Sequence, residues 1–215
     1  MNPRTAVIAA AITTVAFLGA SGTASAVPPV EPGLAATSQV ADEYPELTAA
    51  AMAELAAGTD VAAAGRKDIV RIATKEIGYT ERANNCNKYS RDCAAWCGMF
   101  ARWVWQKAGV SKLPPAGYGK AWVATYWAKW GKDKDLLKRR PAGTRGGNPQ
   151  AGDAIVYGVP GSLDGHVGIV VKVHSDGKLT TIDGNLSDKV VKRTIDPKTK
   201  TTNGGAVYGY VRPVF

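Results

Sequence analysis

The spacing of apolar residues in this chain changes from a helical period to alternation, and this change constrains the fold class. Between residues 66 and 131, three segments place apolar residues three or four positions apart, and each ends at a glycine: Gly78, Gly109 and Gly131. After residue 150, the segments "GDAIVYG", "HVGIVVKVHSDGKLTTIDGN", "VVKRTI" and "AVYGYVRPV" have the character of strands. The order predicts an α+β domain in which N-terminal helices pack against an antiparallel β-sheet.

Each helical segment has one apolar face. The first two faces consist of Ile69, Ile72, Ala73 and Ile77, and of Phe100, Trp103, Val104 and Ala108. The third segment, "AWVATYWAKWG", ends at Gly131, and we expect at least two of Trp122, Trp127 and Trp130 to pack in the core.

The first 26 residues have the pattern of a signal peptide. Arg4 precedes an uncharged run over residues 6–20, and Ala24-Ser25-Ala26 has the small-x-small form of a signal peptidase site. The run is about 15 residues long, whereas a membrane-spanning helix needs about 20. We therefore expect a mature protein that is secreted or held in the cell wall, with no membrane span.

Charge and composition divide the rest of the chain in two. Residues 27–65 are rich in Ala and Pro, and residues 27–64 hold six acidic residues and no Lys or Arg, which predicts an acidic linker or pro-segment. Residues 66–215 are the length of one domain. We expect this domain to be catalytic and monomeric.

The domain is strongly basic. Residues 65–215 hold 26 Lys and Arg against 12 Asp and Glu. A dense cluster comprises Lys129, Lys132, Lys134, Lys138, Arg139, Arg140 and Arg145. Outside a bacterium, such a surface attracts anionic cell-wall polymers and the carboxylates of peptidoglycan. We expect no nucleic-acid partner, because no nucleic-acid motif accompanies the basic residues.

The small number of histidines limits the chemistry. The chain has two, His166 and His174, and lacks the H-x-H, HExxH and CxxC spacings of hydrolytic zinc sites. It also lacks the G-x-S-x-G motif of serine hydrolases. A cysteine paired with a distant histidine remains as the candidate site.

Cys97 is the best-placed thiol. It lies where a loop enters an amphipathic helix, and the N–H groups at a helix start favour the reactive thiolate. An odd cysteine count in an exported protein suggests one disulfide and one free thiol. We favour a Cys86–Cys93 disulfide with Cys97 free. The alternative, a Cys93–Cys97 disulfide across one helical turn, would remove the nucleophile.

His166 begins the strand "HVGIVVKV". If Asp176-Gly177 forms a two-residue turn, Val170 lies opposite Asp183 and Gly168 lies opposite Asn185. Asp183 and Asn185 then share the sheet face of His166, because side chains alternate along a strand. This face would hold a base and an acceptor that orients it. An odd-length loop or a bulge would change the pairing.

The motifs resemble a known family. The segments "NKYSRDCAAWCGMFARWVWQKAG", "NPQAGDAIVYG", "GHVGIVVKV", "TIDGN" and "YGYVRPVF" resemble, in order, the landmarks of CHAP domains, the cysteine, histidine-dependent amidohydrolases/peptidases. The resemblance covers roughly residues 66–215, and the W-C-x-x-F-x-x-W block is its most specific part. It implies a papain-like α+β fold of the NlpC-like superfamily and cleavage of amide bonds in peptidoglycan.

The resemblance also implies roles for individual residues. By position, Cys97 would be the nucleophile and His166 the general base. Asp183 stands where the family usually has Glu, and Asn185 lies two residues further on. Because Asp is one methylene shorter, either its backbone position restores the reach to His166 or Asn185 takes the orienting role. No metal or organic cofactor is implied.

These inferences predict a secreted cysteine hydrolase acting on peptidoglycan. The bond cut is an N-acetylmuramoyl-L-alanine amide, a stem-peptide bond or a cross-bridge. Two alternatives are a non-catalytic wall-binding module on the same scaffold and an NlpC-type stem-peptide endopeptidase. The W-C-x-x-F-x-x-W block and the terminal D-G-N favour CHAP over NlpC.

Overall fold

The computed structural model describes residues 49–117, 119–199 and 205–215, which lie in one compact unit, Ala49–Phe215. The predicted signal peptide and residues 27–48 of the predicted linker lie outside the described residues. The helices are α1 (Ala49–Lys75), α2 (Cys97–Lys107) and α3 (Tyr126–Asp133). The strands are β1 (Leu137–Arg139), β2 (Ala154–Tyr157), β3 (His166–Val173), β4 (Leu179–Leu186), β5 (Lys189–Ile195) and β6 (Val207–Val211).

Helix α1 runs across the expected start of the domain at residue 66. Its second half buries Ile69 and Ala73, as the helical spacing predicts. A Cβ on Gly65 would collide with the ring of Phe215, so the glycine allows α1 to approach that ring closely. Ile77, expected on the same apolar face, instead lies beyond the helix end and is 41% exposed.

Helices α2 and α3 differ in how their glycines are used. Helix α2 is followed by Gly109 with φ +79°, which fits the predicted glycine stop. Helix α3 is shorter than the predicted segment, and it does not stop at Gly131 but continues to Asp133. Gly131 instead packs against a strand: a Cβ there would lie 2.9 Å from both methyl groups of Val211. Trp127 and Trp130 are buried, as expected for at least two of the tryptophans.

The six strands form one antiparallel sheet in the order β1-β6-β2-β3-β4-β5. Successive residues of β2 face two different apolar clusters. Ala154 and Val156 join the cluster that includes the helices, and Ile155 and Tyr157 join a second cluster on the opposite face. The protein is therefore a mixture of helices and an antiparallel sheet, in agreement with the α+β prediction. None of the helices in the described part of the chain has the length and apolar character needed to cross a membrane.

The predicted pairing of β3 with β4 was wrong by two residues. The loop holds three residues, because His174 N–H bonds to Lys178 O and Gly177 takes φ +76°. A second residue is added by a bulge between Val170 and Lys172. Two single-residue shifts add up to one full side-chain period, so His166, Gly168 and Asp183, which lie beyond the bulge, keep their predicted face. Ile169 pairs with Ile182, and this register carries Asp183 to the position opposite Gly168.

Candidate active site

Cys97 is the first residue of α2 and its side chain is 7% exposed. The preceding Trp96 is fully buried, and its indole Nε1 donates to Oε2 of Glu81 at 2.5 Å. Gly98 has no room for a side chain, because the backbone oxygen of Ala121 lies against it. These contacts of the residues on either side of Cys97 fix the position of the helix start, and therefore the position of the thiol.

The cysteine pairing is the one that the sequence favoured. Cys86 and Cys93 form a disulfide in the segment before α2. Cys97 is free. The alternative Cys93–Cys97 disulfide is therefore wrong.

His166 is the first residue of β3, opposite Tyr157 on β2, and is 5% exposed. Its Nε2 donates to Oδ1 of Asp183 at 3.1 Å. The other ring nitrogen, Nδ1, is left to interact with the Cys97 thiol, which is a hydrogen-bond partner of the imidazole. Helix α2 and strands β3 and β4 thus bring Cys97, His166 and Asp183 into one continuous chain of contacts.

The charges of the thiol and the imidazole stabilise each other. Burial by itself raises the pKa of Cys97, but the hydrogen bond and charge of His166 and the backbone N–H groups of Val167 and Gly98 outweigh it, so the pKa is lowered. Burial by itself lowers the pKa of His166, but Asp183 and the Cys97 thiolate raise it to about 9. These effects favour the thiolate–imidazolium form of the pair over the neutral form.

Asp183 is fully buried and accepts hydrogen bonds at both oxygens. Thr181 donates to Oδ2 at 2.6 Å, and the guanidinium of Arg193 donates from Nε to Oδ2 at 3.0 Å. Burial raises the pKa of this carboxyl, but the hydrogen bonds and charges of His166 and Arg193 hold it below its usual value. A Cβ on Gly168 would lie only 2.9 Å from Cγ of Asp183. The glycine makes room for the shorter carboxylate beside His166.

Asn185, the fourth predicted site residue, has a different partner. It takes φ +57°, and its Nδ2 donates to Oδ1 of Asn85 at 3.4 Å. The carboxylate of Asp183, two residues earlier, is the group hydrogen-bonded to His166. A role of Asn185 in orienting the imidazole stays a prediction that this geometry does not favour.

The sequence reasoning missed Arg193 and Thr181. Both face Asp183 because Thr181 pairs with Arg193 across β4 and β5. The segment "VVKRTI" showed that a strand was present, but the β4–β5 register was needed to place Arg193 at the site. Within the described ranges, no group of three or more His, Cys, Asp or Glu side chains is arranged to hold a metal ion.

The two perturbed pKa values predict how reactivity depends on pH. At pH about 6.5, iodoacetamide should alkylate Cys97 faster, relative to its maximal rate, than it alkylates an unperturbed thiol with pKa about 8.5, which reacts there about 100-fold below its maximum, because the pKa of Cys97 is lowered. Above pH about 9, His166 loses its proton while the thiolate remains. Hydrolysis should therefore fall there and alkylation should persist. A His166→Ala variant should move the alkylation profile to higher pH, and an ordinary wild-type thiol profile would contradict the ion pair.

Comparison with known proteins identifies the domain. Residues 86–185 match the family model of the CHAP domain, and the match includes the Cys97–His166–Asp183 chain. No curated protein and no solved structure matches the sequence. CHAP domains are typically hydrolases of the amidase or peptidase kind that act on peptidoglycan. The contacts among the three side chains and the family match agree: residues 86–185 of this chain are a CHAP domain.

Proposed function

We propose that this protein is an exported hydrolase that cleaves an amide bond of peptidoglycan, with Cys97 as nucleophile. The proposal is carried by the contacts from the free Cys97 thiol through buried His166 to buried Asp183. A nucleophile, a base and a group that orients the base are the parts of a covalent acyl-transfer site. The CHAP match supports the substrate class. We also propose that the helices and the sheet have a papain-like arrangement.

In the first half of the reaction, the Cys97 thiolate attacks the carbonyl carbon of the amide and a C–S bond forms. The carbonyl oxygen becomes an oxyanion. The backbone N–H of Cys97 is one of the first N–H groups of α2, which lack intrahelical acceptors, and it is suited to donate to this oxyanion. The C–N bond then breaks as the His166 imidazolium gives its proton to the leaving amine.

In the second half, His166 is a neutral imidazole and Cys97 carries the acyl group as a thioester. His166 accepts a proton from water as the water oxygen attacks the thioester carbonyl. The C–S bond breaks, the carboxylic acid product leaves, and the thiolate–imidazolium pair is restored. Asp183 keeps the Nε2–H tautomer of the imidazole, so that Nδ1 remains the nitrogen that exchanges protons.

Export is supported by two independent features. One is the signal-peptide pattern of residues 1–26. The other is the Cys86–Cys93 disulfide, since disulfides persist mainly in oxidising compartments outside the cytosol. Both fit a protein whose substrate is the cell wall.

Three members of the basic cluster are paired with a carboxylate or with backbone oxygens. Lys129 pairs with Asp133, Arg145 pairs with Asp196, and Arg140 is buried against backbone oxygens. The remaining members are exposed: Lys132, Lys134, Lys138 and Arg139. We assign the attraction to anionic wall polymers to these four side chains.

Replacing Lys132, Lys134 and Lys138 together by Gln should therefore weaken binding to purified walls. The loss should be largest at low salt and shrink as salt rises, because exposed charges are screened. Co-sedimentation with walls over a range of salt concentrations measures it. Lys129→Gln is the matched control, since Asp133 already neutralises that ammonium. An equal loss of wall binding in the control and in the triple variant would contradict the assignment of this binding to the exposed side chains.

The direct test of the function is mass spectrometry of the soluble products after the purified protein is incubated with peptidoglycan. Defined muropeptides establish hydrolysis, and their masses and new termini identify the bond. A free stem peptide with an N-terminal alanine indicates an amidase, and a product cut within the stem indicates an NlpC-type endopeptidase. Wall binding without released product, from a folded protein with a reactive Cys97, would favour the non-catalytic binding module.

A further inference from the structure

Strand β5 supplies a cation to the site from behind the carboxylate. The guanidinium of Arg193 donates from Nε to Oδ2 of Asp183 at 3.0 Å and from Nη2 to Oδ1 at 3.4 Å. The Arg193 side chain is 17% exposed and that of Asp183 is 0% exposed. Two donors from one planar group fix the orientation of the carboxylate as well as its charge.

His166 alone cannot keep Asp183 ionised throughout the reaction. A buried carboxylate remains ionised only while a cation or donors compensate for its lost hydration. The imidazolium does so in the resting enzyme. In the thioester intermediate, however, His166 has given up its proton and is neutral. Arg193 is then the cation that the structure holds against Asp183.

We propose that Arg193 is a positioning residue, the permanent counter-ion that keeps Asp183 ionised and aimed at Nε2 of His166 while the imidazole gains and loses its proton. The inference rests on the proposed function, because it assigns Arg193 a part in the same Cys97–His166 reaction. Without Arg193, Asp183 takes up a proton more easily. A neutral carboxyl neither holds the Nε2–H tautomer nor stabilises the imidazolium.

The test compares Arg193→Met with Arg193→Lys and with Lys192→Met as the matched control. Lys192 is the preceding residue on β5; it is exposed, and its side chain points to the opposite face because side chains alternate along a strand. We expect Arg193→Met to lower kcat about 10- to 100-fold with KM nearly unchanged, as for a misplaced catalytic group. Arg193→Lys, which keeps the charge but loses the planar fork, should fall between Arg193→Met and wild type. Lys192→Met should match wild type.

A second readout needs no substrate. The rate of Cys97 alkylation by iodoacetamide is measured against pH for each variant. His166 is the titratable group that acts directly on the thiol, and Asp183, Arg193 and Tyr157 are the titratable or charged groups behind His166. In Arg193→Met the alkylation profile should move to higher pH, because a partly protonated Asp183 stabilises the imidazolium less. An unchanged profile, or one moved to lower pH, in a folded Arg193→Met variant would overturn the proposal, and so would a folded Arg193→Lys variant with the kcat of the wild type.

A double-mutant cycle separates this role from a general structural one. In an Asp183→Asn background there is no carboxylate to keep ionised, so adding Arg193→Met or Arg193→Lys should change alkylation and kcat little further. Full additivity would show that Arg193 acts elsewhere. The alkylation readout also separates two failures. If wild-type Cys97 reacts as an ordinary thiol, the proposed function fails; if it reacts as a thiolate and Arg193 has no effect, only this inference fails.

Discussion

Cys97→Ala is expected to release no muropeptides from peptidoglycan under conditions in which the wild-type protein releases them readily. The variant lacks the atom that forms the C–S bond, and the structure gives His166 no other thiol to activate, since Cys86 and Cys93 are joined. Loss of a nucleophile that acts together with a base lowers kcat by a factor on the order of 10⁶. Mass spectrometry of soluble products, with time points extended to days, measures the loss.

The variant should fold as the wild type does, which makes the loss interpretable. Only one buried sulfur atom is removed, and the contacts of Trp96 and Gly98 that fix the start of α2 do not involve it. Cys97→Ser is the companion variant: it keeps the shape, but a hydroxyl does not form the ion pair with His166. Circular dichroism and the thermal midpoint should match wild type for both. Product release by Cys97→Ala at near the wild-type rate would contradict the assignment of the nucleophile.

Local patterns were enough to predict the elements that begin at the two central residues. Helix α2 begins at Cys97 and strand β3 begins at His166, as apolar spacing and alternation indicated. Each of these signals lies within about ten residues of the chain. The same kind of reasoning failed at Gly131, because its role depends on Val211, which is distant in the sequence. Glycine as a helix stop and glycine as a contact surface look identical in a single sequence.

The orienting group illustrates a second limit. The predicted turn and strand pairing were both wrong, but the three-residue loop and the bulge together shifted β4 by two positions and kept Asp183 on the face of His166. A shift of one would have put Asp183 on the other side of the sheet. Arg193 was not predicted at all, because its place beside Asp183 depends on the β4–β5 register. Sequence periodicity thus assigned faces, while partners across strands required the fold.

Gly168→Ala is expected to lower kcat at least 100-fold although Gly168 takes no part in the chemistry. The new Cβ would overlap Oδ1 of Asp183 and lie 2.9 Å from its Cγ, closer than real Cβ atoms approach. The carboxylate must turn away, and it then loses the hydrogen bond to Nε2 of His166 and the fork of Arg193. Misplacement of a catalytic group by about 1 Å is enough for a loss of about 100-fold. Steady-state kinetics on soluble muropeptides measures the effect.

The cause can be separated from a general loss of stability. Gly58→Ala is the control, because a Cβ at Gly58 in α1 meets nothing within 4 Å and alanine is the better helix former; its activity should equal wild type. In an Asp183→Ala background the new methyl group has no carboxylate to displace, so adding Gly168→Ala should have little further effect on kcat. If Gly168→Ala is folded and fully active, the position of the Asp183 carboxylate does not limit the reaction, and His166 is oriented by another group.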